Sequence, residues 1–270
     1  MCENCGCGHV EGFKVSTLVD GATPSAAHHH GEHAHDHPHP HGHDHGQAHS
    51  HGPEGTTVEI HAPILARNDR LAERNRGYLL AKGVTALNFL SSPGSGKTTL
   101  LVATLGALPA GLRACVINGD LETALDAQKL HACGVPVANI ATGNVCHLDA
   151  HMVAHGMEEL PLDEADILFI ENVGNLVCPA SYDLGEKFRV VLMSVTEGED
   201  KPLKYPPMFR RADLVLVTKI DLAEAVGFDR AAAQANLQAV APQARVIELS
   251  ARTGEGLEAW FEALRALAGK

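Results

Sequence analysis

The chain has 270 residues, room for one α/β domain of roughly 200 residues and an appendage. Thirty-three acidic against 21 basic residues give a net charge of −12, which excludes the basic footprint of a nucleic-acid groove. No apolar run approaches the ~18 residues of a membrane span and no basic-then-apolar leader opens the chain, so a cytoplasmic setting is expected. There the seven cysteines read as thiols or metal ligands rather than disulfides.

The first residues, Met1-Cys2-Glu3-Asn4-Cys5-Gly6-Cys7, offer three thiols within six positions. Gly6 permits tight folding back, so Cys2, Cys5 and Cys7 can converge on one ion, with the terminal amine or His9 completing a soft-ligand site. Structural zinc or a disulfide is the alternative, but no distant ligand pair is evident. Twelve of the 18 histidines then fall between His28 and His51, interleaved with Gly, Pro, Asp and Ala. A stretch with almost no large apolar residues cannot offset its ordering entropy, which predicts a disordered, metal-binding tail over residues 1–55. An expression tag fits poorly, because only His28 to His30 run consecutively and Asp36 and Asp44 interrupt the pattern.

From about Thr56 to residue 270 the composition is that of a folded domain. Ile64 to Lys82 reads as an amphipathic helix with Ile64, Leu65, Leu71, Tyr78 and Leu79 on one side. Apolar strand candidates follow at 84–90, 112–118, 138–142, 166–171, 188–195, 213–218 and 245–249. Helical segments lie near 98–108, 122–132, 147–159, 229–240 and 256–268. The alternation predicts an α/β fold, a mostly parallel seven-stranded P-loop NTPase sheet with helices on both faces, binding ligands at the carboxyl ends of its strands.

Between the first of these strands and its helix stands Ser91-Ser92-Pro93-Gly94-Ser95-Gly96-Lys97-Thr98, followed by Thr99. It matches the phosphate-binding G-x-x-x-x-G-K-[ST] pattern except that Ser91 replaces the first glycine. Gly94 and Gly96 let backbone N–H groups turn toward one point, Lys97 reaches the outer phosphates, and the Thr98 hydroxyl is a Mg²⁺ ligand. A ligand-free β–α turn is the bland reading. Asp120, in Asn118-Gly119-Asp120-Leu121-Glu122, and Glu171, in Glu171-Asn172-Val173-Gly174, supply carboxylates for the same ion; Asp120 is alternatively a helix N-cap. Lys97, Thr98, Asp120 and Glu171 are thus the expected catalytic set, working by positioning and charge neutralisation. Asn175, rather than a glutamine that could orient water, follows Gly174, so slow intrinsic hydrolysis is expected.

Cys146-His147 begins the helix candidate after a short strand, and Cys178 lies seven residues beyond Glu171. His151 and His155 follow His147 at helical spacing and are candidates to extend a ligand set of Cys146, His147 and Cys178. Each cysteine alone is more ordinarily a small core hydrophobe; Cys115 and Cys133 read that way. Near the end of the chain Thr218-Lys219-Ile220-Asp221 follows a strand. A carboxylate at Asp221 accepts from guanine N1–H and the exocyclic amine and is left unpaired against adenine. Lys219 can lie along the base, and Ser250-Ala251-Arg252 can present backbone N–H groups to guanine O6. An isolated T-K-x-D would be a capped turn; its order after the phosphate loop favours GTP.

Together C-x-x-C-G-C, the histidine-rich spacer, S-S-P-G-S-G-K-T-T-L, G-D-L-E-T, N-V-C-H-L-D-A-H, E-N-V-G-N-L-V-C-P, T-K-I-D-L and S-A-R-T-G-E-G resemble the HypB family of hydrogenase nickel-incorporation GTPases, of the signal-recognition/MinD-like (SIMIBI) class. The resemblance covers almost the whole chain. It implies nickel at Cys2, Cys5 and Cys7, and nickel or Zn²⁺ at Cys146, His147 and Cys178. It also implies a GTP-dependent homodimer, partnership with HypA, and nickel delivery to the large subunit of [NiFe]-hydrogenase. A nickel buffer with incidental GTP turnover and a urease chaperone are the rival readings; the latter ordinarily carries Cys-Pro-His, whereas Ala180 follows Cys178-Pro179 here.

Overall fold

The computed structural model describes residues 13–18 and 56–269. The Cys2, Cys5 and Cys7 cluster and the histidine-rich stretch lie outside the described residues. The elements, in chain order, are β1 (Lys14–Leu18), α1 (Thr56–Lys82), β2 (Thr85–Ser91), α2 (Lys97–Gly106), β3 (Ala114–Asp120), α3 (Leu125–His131), β4 (Val137–Ala141) and α4 (Ala150–Glu158). They continue with β5 (Ile167–Glu171), β6 (Phe188–Ser194), α5 (Lys201–Lys204), α6 (Pro206–Phe209), β7 (Leu214–Thr218), α7 (Arg230–Val240), β8 (Arg245–Glu248) and α8 (Leu257–Ala268).

The strands form one eight-stranded sheet in the order β1-β4-β3-β5-β2-β6-β7-β8. The strand count corrects the expected seven. The additional strand is β1, inside the stretch expected to be a disordered tail, pairing antiparallel to β4 from Lys14 opposite Ala141 to Leu18 opposite Val137. The other pairings are parallel. Every residue of β2, β5 and β7 is buried, as befits strands covered on both faces.

Side-chain alternation divides the core. Leu87 and Phe89 of β2 pack with Leu100, Leu101 and Trp260 under α2 and α8. On the opposite face Ala86 joins Ile117, Ile140, Met152 and Leu168 beneath α4, while Leu90 joins Val191, Met193, Phe209 and Leu237. Trp260, the one tryptophan, is fully buried, meets Phe89 edge-on at 6.0 Å, and donates from Nε1 to Thr104 Oγ1 at 2.9 Å.

Two expectations for helices change. In α1 the face toward the protein carries Asn68, Ala72, Asn75 and Leu79, while Tyr78 is 43% exposed. Asparagines displace a wholly apolar stripe because they bond backbone: Asn75 Nδ2 donates to the carbonyls of Ala150 and Leu184, and Asn68 joins the N–H of Ala150 to the carbonyl of Asp183. Helix α4 starts at Ala150, not at Cys146, because Asp149 is its N-cap and accepts from the Met152 N–H at 2.8 Å. Cys146 and His147 therefore sit in the preceding loop. Among the described residues no helix is long and apolar enough to cross a membrane.

Candidate nucleotide and metal site

The phosphate loop spans the turn from β2 to α2, with Gly94 at φ 74° and Gly96 at φ 97°, both in the left-handed region glycine favours. Lys97 is nearly buried and its Nζ donates to Ser91 Oγ at 2.8 Å; that hydroxyl in turn donates to the Ser92 carbonyl at 2.7 Å. The serine that departs from the motif thus holds the lysine. Burial lowers the Lys97 pKa, against the pull of Glu171, Asp126 and Glu197.

The Thr98 hydroxyl lies 2.7 Å from Glu171 Oε1 and 3.1 Å from Asp126 Oδ2. Glu171, at the end of β5, is 4% exposed, and burial pushes its carboxyl up to about 7 although Thr98 and Lys97 pull the other way. Its Oε2 is buried without a hydrogen-bond partner. A hydroxyl and two carboxylates, one of them with an orphaned buried oxygen, form a donor set that suits Mg²⁺, a hard ion taking oxygen ligands. Asp126 was not among the expected site residues, because nothing in its local sequence measures its distance to Thr98. Asp120 is not an N-cap, since α3 begins at Leu125 after Ala124. Its carboxylate accepts from the Leu121 N–H and the Thr123 hydroxyl, and it lines the same cavity of about 470 Å³ as Pro93, Lys97, Thr98, Asp126 and Glu171.

A second cavity of about 260 Å³ adjoins it, lined by Ser95, Gly96, Thr99, Thr218, Lys219, Asp221, Ser250, Ala251 and Arg252. Thr218 Oγ1 donates to the Ser95 carbonyl at 2.7 Å and Lys219 Nζ to the Gly94 carbonyl at 2.6 Å, so the two motifs brace one another. Lys219 has φ 59°, the one positive value at a non-glycine among the described residues. Such strain persists where surrounding contacts over-determine it, commonly at ligand sites. Of the three backbone N–H groups, that of Ser250 donates to the Glu255 carbonyl and that of Arg252 to Ser250 Oγ. Ala251 is the remaining donor for a base.

Cys146, His147 and Cys178 come together: their candidate ligand atoms all lie within 4.8 Å of one another. His147 is 2% exposed, its ring lies 4.0 Å from that of Tyr182, and its Nδ1 has no hydrogen-bond partner. Burial lowers its pKa against the field of Asp149, which keeps the imidazole neutral and its lone pair available. Cys178 opens a short turn over Cys178–Ser181. That segment is anchored by Arg189, which donates to the carbonyls of Ala180 and Tyr182 and pairs with buried Glu186 at 2.7 Å. The stripe expected to run from His147 through His151 and His155 is broken, because His147 is off the helix; neither His151 nor His155 belongs to the cluster. Cys115 is buried in β3 with its thiol pushed up to about 11 by burial, and Cys133 follows α3 with its thiol also raised by burial; both are structural.

The segment from Glu171 to Cys178 ties the two sites. Asn172 Oδ1 accepts from the Leu148 N–H at 3.1 Å and the Val173 N–H at 2.9 Å, and Asn175 Nδ2 donates to the Cys146 carbonyl at 3.3 Å. Gly174 passes so close to the phosphate loop that a Cβ there would sit 3.0 Å from Pro93 Cα. Asn172, next to Glu171, and Asn175, next to Gly174, thus each bond the loop that carries Cys146 and His147.

Known proteins resemble this chain in sequence and fold. The family model of the CobW/HypB/UreG nucleotide-binding domain matches residues 86–248. The hydrogenase maturation factor HypB of Escherichia coli K12 is 43% identical over 97% of both chains. The crystal structure of HypB from Helicobacter pylori in complex with nickel is 41% identical, with TM-score 0.72, covering 75% of this chain and 95% of that one. HypB from Archaeoglobus fulgidus is 42% identical, with TM-score 0.71, covering 75% of this chain and 99% of that one. The chain belongs to the HypB family of hydrogenase maturation factors, within the CobW/HypB/UreG class of nucleotide-binding domains.

Proposed function

We propose that the chain is a GTPase and nickel metallochaperone, whose nucleotide state sets how its Cys146, His147 and Cys178 donors hold nickel for delivery to the [NiFe]-hydrogenase large subunit. The observation that carries this reading is the continuous segment from Glu171, bonded to the phosphate-loop Thr98, to Cys178 in the thiol–imidazole cluster. Lys97 and the N–H groups around Gly94 and Gly96 bind the phosphates. Asp221 and the Ala251 N–H select guanine, with Thr218 and Lys219 bracing the loop and Ser95 and Thr99 flanking it. Thr98, Glu171, Asp126 and Asp120 hold Mg²⁺, which supplies charge neutralisation at the transferring phosphoryl group.

Re-pairing of the Thr98 hydroxyl and the Glu171 carboxylate around a bound nucleotide shifts residues 171–178, and Asn172 and Asn175 carry that shift to the loop of Cys146 and His147. Linkage makes the coupling reciprocal: nickel or zinc at the cluster alters nucleotide affinity by the same factor. Two thiols and one imidazole leave coordination incomplete, as transfer requires. Cys2, Cys5 and Cys7 are proposed as a separate nickel site fed by the histidine-rich stretch, in a cytoplasmic protein that forms a homodimer on GTP and exchanges metal with HypA.

The test measures Ni²⁺ affinity, with a GTP analogue and with GDP, on a Cys2/Cys5/Cys7→Ser protein. A difference of about 5–150-fold is the range expected of a coupled pair of sites. Equal affinities would rule the coupling out.

A further inference from the structure

Arg189 of β6 stands opposite Asn88 of β2 with its side chain 8% exposed, and it pairs at 2.7 Å with Glu186, 3% exposed. A buried ion pair adds little stability beyond an apolar pair of the same volume, so what this one holds matters more than its charge. The guanidinium uses its fork in three directions. Its Nε donates to Glu186 Oε1 at 2.7 Å, Nη1 to the Ala180 carbonyl at 3.3 Å and Nη2 to the Tyr182 carbonyl at 2.8 Å. Glu186 is engaged in turn: Oε1 also accepts from Asn88 Nδ2 at 3.2 Å, and Oε2 accepts from the Leu184 N–H at 2.7 Å. Arg211 Nη1 adds a further bond to the Ala180 carbonyl at 3.0 Å.

The two carbonyls belong to the half of the metal cluster that Cys178 supplies. Ala180 lies two residues after Cys178 in the turn Cys178–Ser181. Tyr182 closes that turn and sets its ring 4.0 Å from the His147 ring, tilted by 33°. We infer that Glu186 and Arg189 are positioning residues of the Cys146, His147 and Cys178 site, one buried fork fixing both the Cys178 turn and the ring that lies on His147. The inference rests on the proposed nickel site and gives neither residue a ligand role. Lysine cannot stand in for Arg189, because one ammonium on a flexible stem does not span a carboxylate and two carbonyls as a planar fork does. Asn88 Oδ1 also lies 3.4 Å from Asn172 Nδ2, which ties the fork to the residue after Glu171. The Cys178 turn is thereby held to central strand β2, while Asn172 and Asn175 bond the loop of Cys146 and His147.

The experiment follows Ni²⁺ binding, at buffered free Ni²⁺, to the full chain carrying Cys2/Cys5/Cys7→Ser. The signal is the thiolate-to-nickel charge-transfer absorption, to which histidines contribute nothing. Two variants of that parent are compared: Arg189→Lys, and the double variant Glu186→Leu/Arg189→Met, which removes the pair without stranding a buried charge. Ni²⁺ should bind about 10–100-fold more weakly to both, the loss usual when an outer partner of a metal ligand is removed. The charge-transfer intensity per bound nickel should fall by about half, because one soft thiolate donor remains where there were two. GTP affinity should hold. The double variant decides where Arg189→Lys leaves too little folded protein. Parental nickel affinity and band intensity in the folded double variant overturn the inference, and so does an equal loss of nickel and GTP binding, the mark of general unfolding. A parent that shows no band, or whose band survives Cys178→Ala undiminished, overturns the nickel site itself and the inference with it.

Discussion

The side-chain oxygen of Asn172 accepts the backbone N–H of Leu148 at 3.1 Å, joining the residue after Glu171 to the residue after His147. Asn172 is 1% exposed and its Nδ2 lies 3.4 Å from Asn88 Oδ1 in β2, so the link is held against the central strand. Asn172→Ala leaves the Leu148 and Val173 N–H groups buried and unpaired, at a cost of about 1–3 kcal/mol each. A folded Asn172→Ala protein should bind Ni²⁺ with the same affinity in GTP-analogue and GDP states; titrations in both states check this, and a retained difference rejects the link.

Glu171 gives a pH dependence with a definite sign. Its folded pKa of about 7 lies above the ordinary carboxyl value, so between roughly pH 4.5 and 7 the folded protein binds more protons than the unfolded chain. Stability from this group therefore falls as pH rises through that window. Divalent-ion binding needs the carboxylate, so Mg²⁺ affinity in the GTP complex should rise up to about tenfold per pH unit below 7 and level off above. Subtracting the profile of Glu171→Gln isolates the contribution; identical profiles would show that Glu171 is not a ligand.

Asp221 lines the smaller cavity beside Lys219 and Ala251. Asp221→Ala removes two charge-assisted hydrogen bonds to guanine, about 1.5–3 kcal/mol each, so GTP should bind about 10²–10⁴-fold more weakly. ATP affinity should change far less. Calorimetric titrations with both nucleotides check the selectivity.

Trp260 couples α8 to the phosphate-loop helix through its ring against Phe89 and its Nε1–H on Thr104. Trp260→Ala leaves a cavity in that layer and should destabilise the protein by about 3–5 kcal/mol in urea unfolding followed by circular dichroism. Trp260→Phe restores most of the volume but leaves Thr104 Oγ1 without its donor, and an intermediate loss is expected.

Ser91 holds Lys97 where the motif has glycine. Ser91→Gly should leave GTP binding intact or raise it, because Lys97 no longer has a competing partner, while Lys97→Ala should abolish it. Weaker GTP binding in Ser91→Gly would show that the hydroxyl positions the lysine rather than competing for it.

The class of fold, the phosphate loop and the seven parallel-type strands could be read from residue order, because periods of two and 3.6 and the φ demands of Gly94 and Gly96 are local. Distance between segments is not local. The approach of Asp126 to Thr98, of Cys178 to His147 within 4.8 Å, and of Phe13 to the α4 histidines arises only when strands separated by many residues lie side by side. The five residues of β1 show the same limit: too short to declare a strand by themselves, they become one because β4 offers an edge with unpaired backbone groups. Asp149 decided the rest, since capping α4 at that point turned one expected row of histidines into a buried imidazole beside two cysteines and a separate pair, His151 and His155, on the helix.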